Sequence, residues 1–169
     1  MKGEIAMKQN ELDIIKQAIL NEIEGFEFYK MAAKQAGSRE SQEAFNELAE
    51  EEFKHAEYLR ELFDQMKDGK EDDITLSFLS EVPSPKIFDW DRIDNKSASL
   101  ALSVFGIGVQ MEKASIDFYE EAKNNTQYEA ARKLFDILLH WENVHLEQFT
   151  TQYNRYKEEW WNDQGYAPF

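Results

Sequence analysis

Apolar residues fall into four long stripes spaced alternately by three and four, the period of helices that pack into a bundle. The first stripe is Leu12, Ile15, Ile19, Phe26, Tyr29 and Ala33, predicting a helix over about residues 10–35 with Asn10 as its cap. Gly37 then supplies a left-handed residue at the stop. Phe45, Leu48, Leu59, Leu62 and Met66 predict a second helix over 38–67. Leu102, Phe105, Val109, Ile116 and Tyr119 predict a third, starting at Asn95 or Ser97 and ending near Lys123. Phe135, Leu138 and Phe149 predict a fourth, running to about Glu159. Short turns at 36–38 and 124–126 make two antiparallel hairpins. The crossover at about 68–96 is acidic, carries Gly and Pro, and includes a short apolar piece from Ile74 to Leu79. The expected fold is all-α: a four-helix bundle over 1–159 and an aromatic tail over 160–169. The crossover permits a bundle within one chain or a hairpin exchanged between subunits.

Every stripe turns polar in its interior. Glu22 interrupts the first, Glu52 and His55 the second, Glu112 the third, Glu142 and His145 the fourth. These positions repeat: Glu22, Tyr29, Glu52 and His55 recur ninety positions later as Glu112, Tyr119, Glu142 and His145. The same frame carries Phe28 onto Phe118, Ala32 onto Ala122, Phe45 onto Phe135, Leu48 onto Leu138 and Glu57 onto Glu147. Core and polar positions therefore repeat together, as expected of two similar hairpins facing one polar centre.

Four carboxylates and two imidazoles among Leu, Ile and Phe each cost several kcal/mol if left unpaired. Buried ion pairs alone set four acids against two imidazoles, whereas two divalent ions balance the acids. Glu-x-x-His places both side chains on one helix face, one turn apart, so each pair offers a nitrogen and carboxylate oxygens to a metal. The single Glu of each other helix can bridge or terminate. One Glu from each of two helices with Glu-x-x-His from each of the other two is the ligand pattern of di-iron and di-manganese bundles. The metal ligands expected are thus Glu22, Glu52, His55, Glu112, Glu142 and His145. Carboxylate and imidazole ligation suits Fe or Mn, with Zn as a contaminant.

The surrounding residues receive plainer roles. Tyr29 and Tyr119, one heptad beyond Glu22 and Glu112, either hydrogen-bond a ligand carboxylate or close the core. Glu24, Glu27, Glu50, Glu51 and Asp117 lie off the stripes and are expected to be mostly solvated, and His140 is peripheral. Trp90, Trp141, Trp160 and Trp161 are expected to be packing residues rather than electron relays, with the Trp160–Trp161 pair folded onto its own bundle.

Composition narrows the partners. With 34 acidic against 19 basic residues the net charge is −15, which disfavours nucleic acid and anionic membranes and favours metal cations. The chain has no cysteine, which excludes disulfides, iron–sulfur clusters and thiolate metal sites. No stretch approaches the ~20 apolar residues of a membrane span and residues 1–10 lack a secretory signal, so a cytoplasmic location is expected.

Four stretches resemble the ferritin-like rubrerythrins: Ala18-Ile-Leu-Asn-Glu-Ile-Glu-Gly-Phe-Glu-Phe-Tyr29, Leu48-Ala-Glu-Glu-Glu-Phe-Lys-His-Ala-Glu57, residues 112–119 and residues 142–147. The resemblance implies a non-haem di-iron site on the same six residues, oxidative-stress or iron chemistry, and a homodimer. It departs from rubrerythrin proper at two points. The neighbours of Glu112 on its face are Gly108, Val109, Ser115 and Ile116, so no extra carboxylate stands there, and no four-cysteine rubredoxin domain is present. The expected activity is reduction of hydrogen peroxide or dioxygen with electrons from a separate, rubredoxin-like donor. The alternatives are an iron-handling or ferroxidase protein without sustained peroxidase turnover, and an interaction module with the metal as a staple and the tail as its binding part.

Overall fold

The computed structural model describes residues 2–70, 76 and 88–165. Four helices form two hairpins: α1 (Lys2–Gln35) with α2 (Arg39–Lys67), and α3 (Ala98–Asn125) with α4 (Glu129–Asp163). Helices pack closely within each hairpin, and the hairpins meet through α1 against α3 and α2 against α4. Tyr29 on α1 reaches Glu112 on α3 while Tyr119 on α3 reaches Glu22 on α1, so these two helices run antiparallel. All four helices of the bundle come from one chain.

Several ends differ from expectation. The first helix begins at Lys2, so Asn10 is an exposed residue inside it and caps nothing. Residues 4–9 are mostly good helix formers, and nothing there stops a helix that the apolar stripe no longer requires. Gly37 is not left-handed: the described residues with positive φ are Gly69 and Gly165 alone. Gly37 instead allows a close approach, its N–H donating to Ser97 Oγ at 2.9 Å, where a Cβ would sit 3.3 Å from that oxygen. Gly69, at φ 78°, ends α2 with Gly69 N–H bonded to Met66 O and Lys70 N–H to Gln65 O, a Schellman closure. Ser38 caps α2, accepting from the Ser41 N–H at 3.1 Å.

The fourth helix passes the predicted end at Glu159 and runs to Asp163, with left-handed Gly165 just beyond. Trp160 and Trp161 thus belong to the helix. They remain 37% and 44% exposed and meet edge-on at 4.9 Å, contrary to the expectation that they fold onto the bundle. Of the apolar piece at 74–79 only Leu76 is described, and it is buried; the rest, like residues 166–169, lies outside the described residues.

The core is in two parts. One cluster holds Phe45, Leu48, Trp90, Phe105 and Phe149. The other holds Ile15, Leu59, Leu62, Phe135 and Leu138. Each fully buried Leu, Ile or Phe contributes ~1.5–3 kcal/mol, so the two clusters clamp the bundle on either side of the polar layer between them. The returning crossover adds to the first cluster through buried Phe88, Trp90 and Ile93. It is fixed to α2 by a two-bond fork from Arg92 to Glu47, at 2.8 and 3.0 Å.

Candidate metal centre

All six predicted residues converge between the apolar clusters, and each is at most 5% exposed. Their stripe positions dictate this, because each helix buries one face and the polar side chains sit midway along it. The six form two overlapping quartets: Glu22, Glu52, His55 and Glu142, and Glu52, Glu112, Glu142 and His145. Within each quartet one potential ligand atom per residue lies within 4.8 Å of all the others. Glu52 and Glu142 belong to both quartets, Glu22 and Glu112 to one each. The acids of the Glu-x-x-His pairs are therefore the shared ones, a division that sequence spacing left open. The ninety-residue frame exchanges the quartets, so the centre has an approximate twofold relation.

His55 Nδ1 lies 3.3 Å from Glu22 Oε2, 3.1 Å from Glu142 Oε1 and 3.8 Å from Glu52 Oε2. His145 Nδ1 lies 3.5 Å from Glu142 Oε2. These approaches leave donor atoms unused. Glu52 Oε1, both Glu142 oxygens, His55 Nε2 and both ring nitrogens of His145 are buried without an aligned hydrogen-bond partner. Six orphaned atoms in one place are costly, and they are the atom types that bind divalent first-row metals. The residues fit a two-metal centre.

Protonation shows the same shortage of positive charge. Burial, then the neighbouring Glu142 and Glu22 carboxylates, push Glu52 well above the ordinary glutamate range. Burial, then Glu142 and Glu52, do the same to Glu112. Burial opposes charge on His55, but Glu142 and Glu22 outweigh it and raise that imidazole well above its usual value. Burial also opposes ionisation of Glu142, yet His55 and His145 hold it well below the ordinary range. Without metal, protons on Glu52, Glu112 and His55 occupy the place of cations.

Both tyrosines hydrogen-bond ligand candidates while their rings stay in the core, and each does so across the hairpins. Tyr29 Oη donates to Glu112 Oε1 at 3.5 Å, and Tyr119 Oη donates to Glu22 Oε1. Burial first, then the nearby carboxylates, push both phenols well above the ordinary tyrosine range, so they act as donors. Tyr119→Phe is expected to weaken metal binding ~10-fold, the low end for losing an outer hydrogen bond to a ligand. Competition with a chromophoric chelator measures this, and unchanged affinity would assign Tyr119 to packing alone.

Other expectations fall into place around the centre. His140, Glu24, Glu27, Glu50 and Asp117 are exposed. Glu51 is buried instead of solvated, paired with Lys54 at 2.8 Å. No seventh carboxylate joins either quartet among the described residues. Trp141 packs in the core as expected, and its ring lies 5.1 Å from that of His55. Its counterpart in the repeat is Glu51, and that mismatch was visible in the sequence. No described helix is long and apolar enough to cross a membrane.

Comparison with known proteins agrees with this geometry. A solved structure of a hypothetical protein from Pyrococcus furiosus is similar at TM-score 0.64 and 26% identity, over 88% of this chain and 90% of that one. No curated protein matches the chain. The family model described as Rubrerythrin matches residues 13–153, a span that contains both quartets. The chain belongs to the rubrerythrin family.

Proposed function

We propose that this protein is a di-iron oxidoreductase that reduces hydrogen peroxide or dioxygen with electrons from a separate donor. The observation that carries the reading is the pair of quartets sharing Glu52 and Glu142, which could hold two metal ions side by side on oxygen and nitrogen ligands alone. Bound there, two iron ions supply one electron each to a peroxide or dioxygen molecule. Glu22 with His55, and Glu112 with His145, would hold one ion each, while Glu52 and Glu142, common to both quartets, would serve both. Tyr119 and Tyr29 keep their protons on Oη and orient Glu22 and Glu112. The flanking apolar clusters exclude bulk water. With no cysteine in the chain, electrons for regeneration come from a donor docking at the surface.

Anaerobic protein loaded with two ferrous ions per chain is expected to oxidise rapidly and stoichiometrically on mixing with hydrogen peroxide, followed by stopped-flow absorbance. A rate no faster than that of free ferrous ion would refute the proposal.

A second reading, uptake and release of ferrous ion without sustained turnover, draws support from a hollow of about 170 Å³ between α1 and α3. It is lined by Asn21, Glu24, Met111, Ala114 and Ser115, so residues beside Glu22 and Glu112 meet an exposed carboxylate there. Readily released iron, with no catalysis in the presence of any donor, would favour it.

A further inference from the structure

Resting on the proposed reduction of dioxygen, we propose that Trp141 and Tyr58 form a relay carrying oxidising equivalents from the His55 side of the centre to the surface. The Trp141 ring lies 5.1 Å from the His55 imidazole, tilted by 35°. The Tyr58 ring lies 5.9 Å from Trp141. Trp141 is 3% exposed, whereas Tyr58 is only partly buried. Imidazole, indole and phenol thus stand in ring contact from the metal-binding layer outward.

The twofold repeat fails at these two positions. In the ninety-residue frame Trp141 corresponds to Glu51 and Tyr58 to Gln148. Besides His55 at 6.0 Å, the rings around His145 among the described residues are Phe88 at 5.8 Å and Phe149 at 5.9 Å, and a benzene ring gives up an electron far less readily than indole or phenol. Trp90 lies one ring further, 5.2 Å from Phe88, and is itself only 5% exposed. Tyr29 and Tyr119 can be oxidised, but among the described residues their aromatic neighbours are Phe28 and Phe149, and Phe118 and Phe135. Among the described ring contacts, Trp141 is the one oxidisable ring that touches a ligand candidate and also leads to an oxidisable ring at the surface.

Dioxygen takes up four electrons and two ferrous ions would supply two of them, so the other two pass through the relay one at a time, while solvent supplies the four protons that complete two water molecules. Trp141 gives one electron to the centre, and Tyr58 gives one electron to the indole and its phenol proton to solvent. A one-electron reductant at the surface then returns an electron to Tyr58, which takes a proton back from solvent. The net transfer is one electron from that reductant to the centre.

The experiment is freeze-quench electron paramagnetic resonance of the ferrous-loaded full chain after mixing with dioxygen, with iron oxidation followed by absorbance in the same samples. Wild type is expected to give a tyrosyl radical. Tyr58→Phe is expected to lose it and accumulate a tryptophan radical, and Trp141→Phe to lose both. Circular dichroism checks the fold of the Trp141 variant, and the Tyr58 variant, altered at a partly exposed position, tests the relay by itself. Rapid iron oxidation with no radical, or with the same radical in both variants, overturns the relay and leaves the dioxygen reading intact. Failure of the iron to oxidise overturns the reading and the relay with it.

Discussion

Glu52→Ala and Glu142→Ala are each expected to abolish binding of both metals, whereas Glu22→Ala and Glu112→Ala each leave about one metal per chain. The difference follows from membership: Glu52 and Glu142 stand in both quartets, Glu22 and Glu112 in one. Removing a shared acid takes a ligand from both ions and the charge that lets them sit close together. Removing a terminal acid leaves the other quartet complete. Losing a directly coordinating carboxylate should exceed the 10–100-fold loss in affinity typical of outer hydrogen-bond partners. Elemental analysis after passage over a chelating resin measures the result. Equal losses across all four variants would contradict the shared role of Glu52 and Glu142.

Metal loading is expected to raise the melting temperature by roughly 15–30 °C, and the gain should widen as pH rises. Free metal at a thousandfold excess over its dissociation constant contributes ~4 kcal/mol per ion. For a chain of this length each kcal/mol is worth ~2–4 °C. The pH dependence comes from the protons that stand in for metal. Glu52 and Glu112 have raised folded values, so their stabilising contribution is complete below the ordinary glutamate value and is lost as pH rises through the folded one. His55 is also raised and loses its contribution in the same direction, above the ordinary histidine value. Glu142 is lowered and acts oppositely, its contribution present above the ordinary glutamate value and lost as pH falls through the folded one. The metal-free protein therefore loses the contributions of Glu52, Glu112 and His55 as pH climbs. Metal binding needs those groups deprotonated, so affinity grows over the same interval. Calorimetric melting of metal-free and loaded protein at pH 5 and pH 8 checks both parts, and a gain that is flat or shrinks with pH would contradict the account.

Much of this centre was legible because the polar residues interrupt apolar stripes whose period is unmistakable. Glu22 sits between Ile19 and Phe26, and His55 between Glu52 and Leu59, so burying the stripe buries the acid or imidazole with it. The repeat then joined two hairpins that no local signal connects. What spacing alone left open were relations across helices. That Tyr29 serves Glu112 and Tyr119 serves Glu22 depends on α1 and α3 running antiparallel, which the crossover length permits without requiring. The sharing of Glu52 and Glu142 depends on side-chain reach across the hairpins. Local misreadings had local causes. Asn10 looked like a cap because the stripe begins there, but helix propensity extends to Lys2. Gly37 looked like a left-handed stop, but the close approach of Ser97 explains its lack of a side chain. Glu51 lies off the stripe, which suggests a solvated acid, yet it is buried and held by exposed Lys54 at its edge.

The central claim is that two metal ions sit between the quartets, joined by Glu52 and Glu142. Anomalous scattering at the iron edge from crystals of iron-loaded protein tests it most directly. The expected result is two peaks, one ligated by Glu22 and His55, the other by Glu112 and His145, with Glu52 and Glu142 reaching both. A single peak, or none between these six side chains in protein that retains iron, would contradict it.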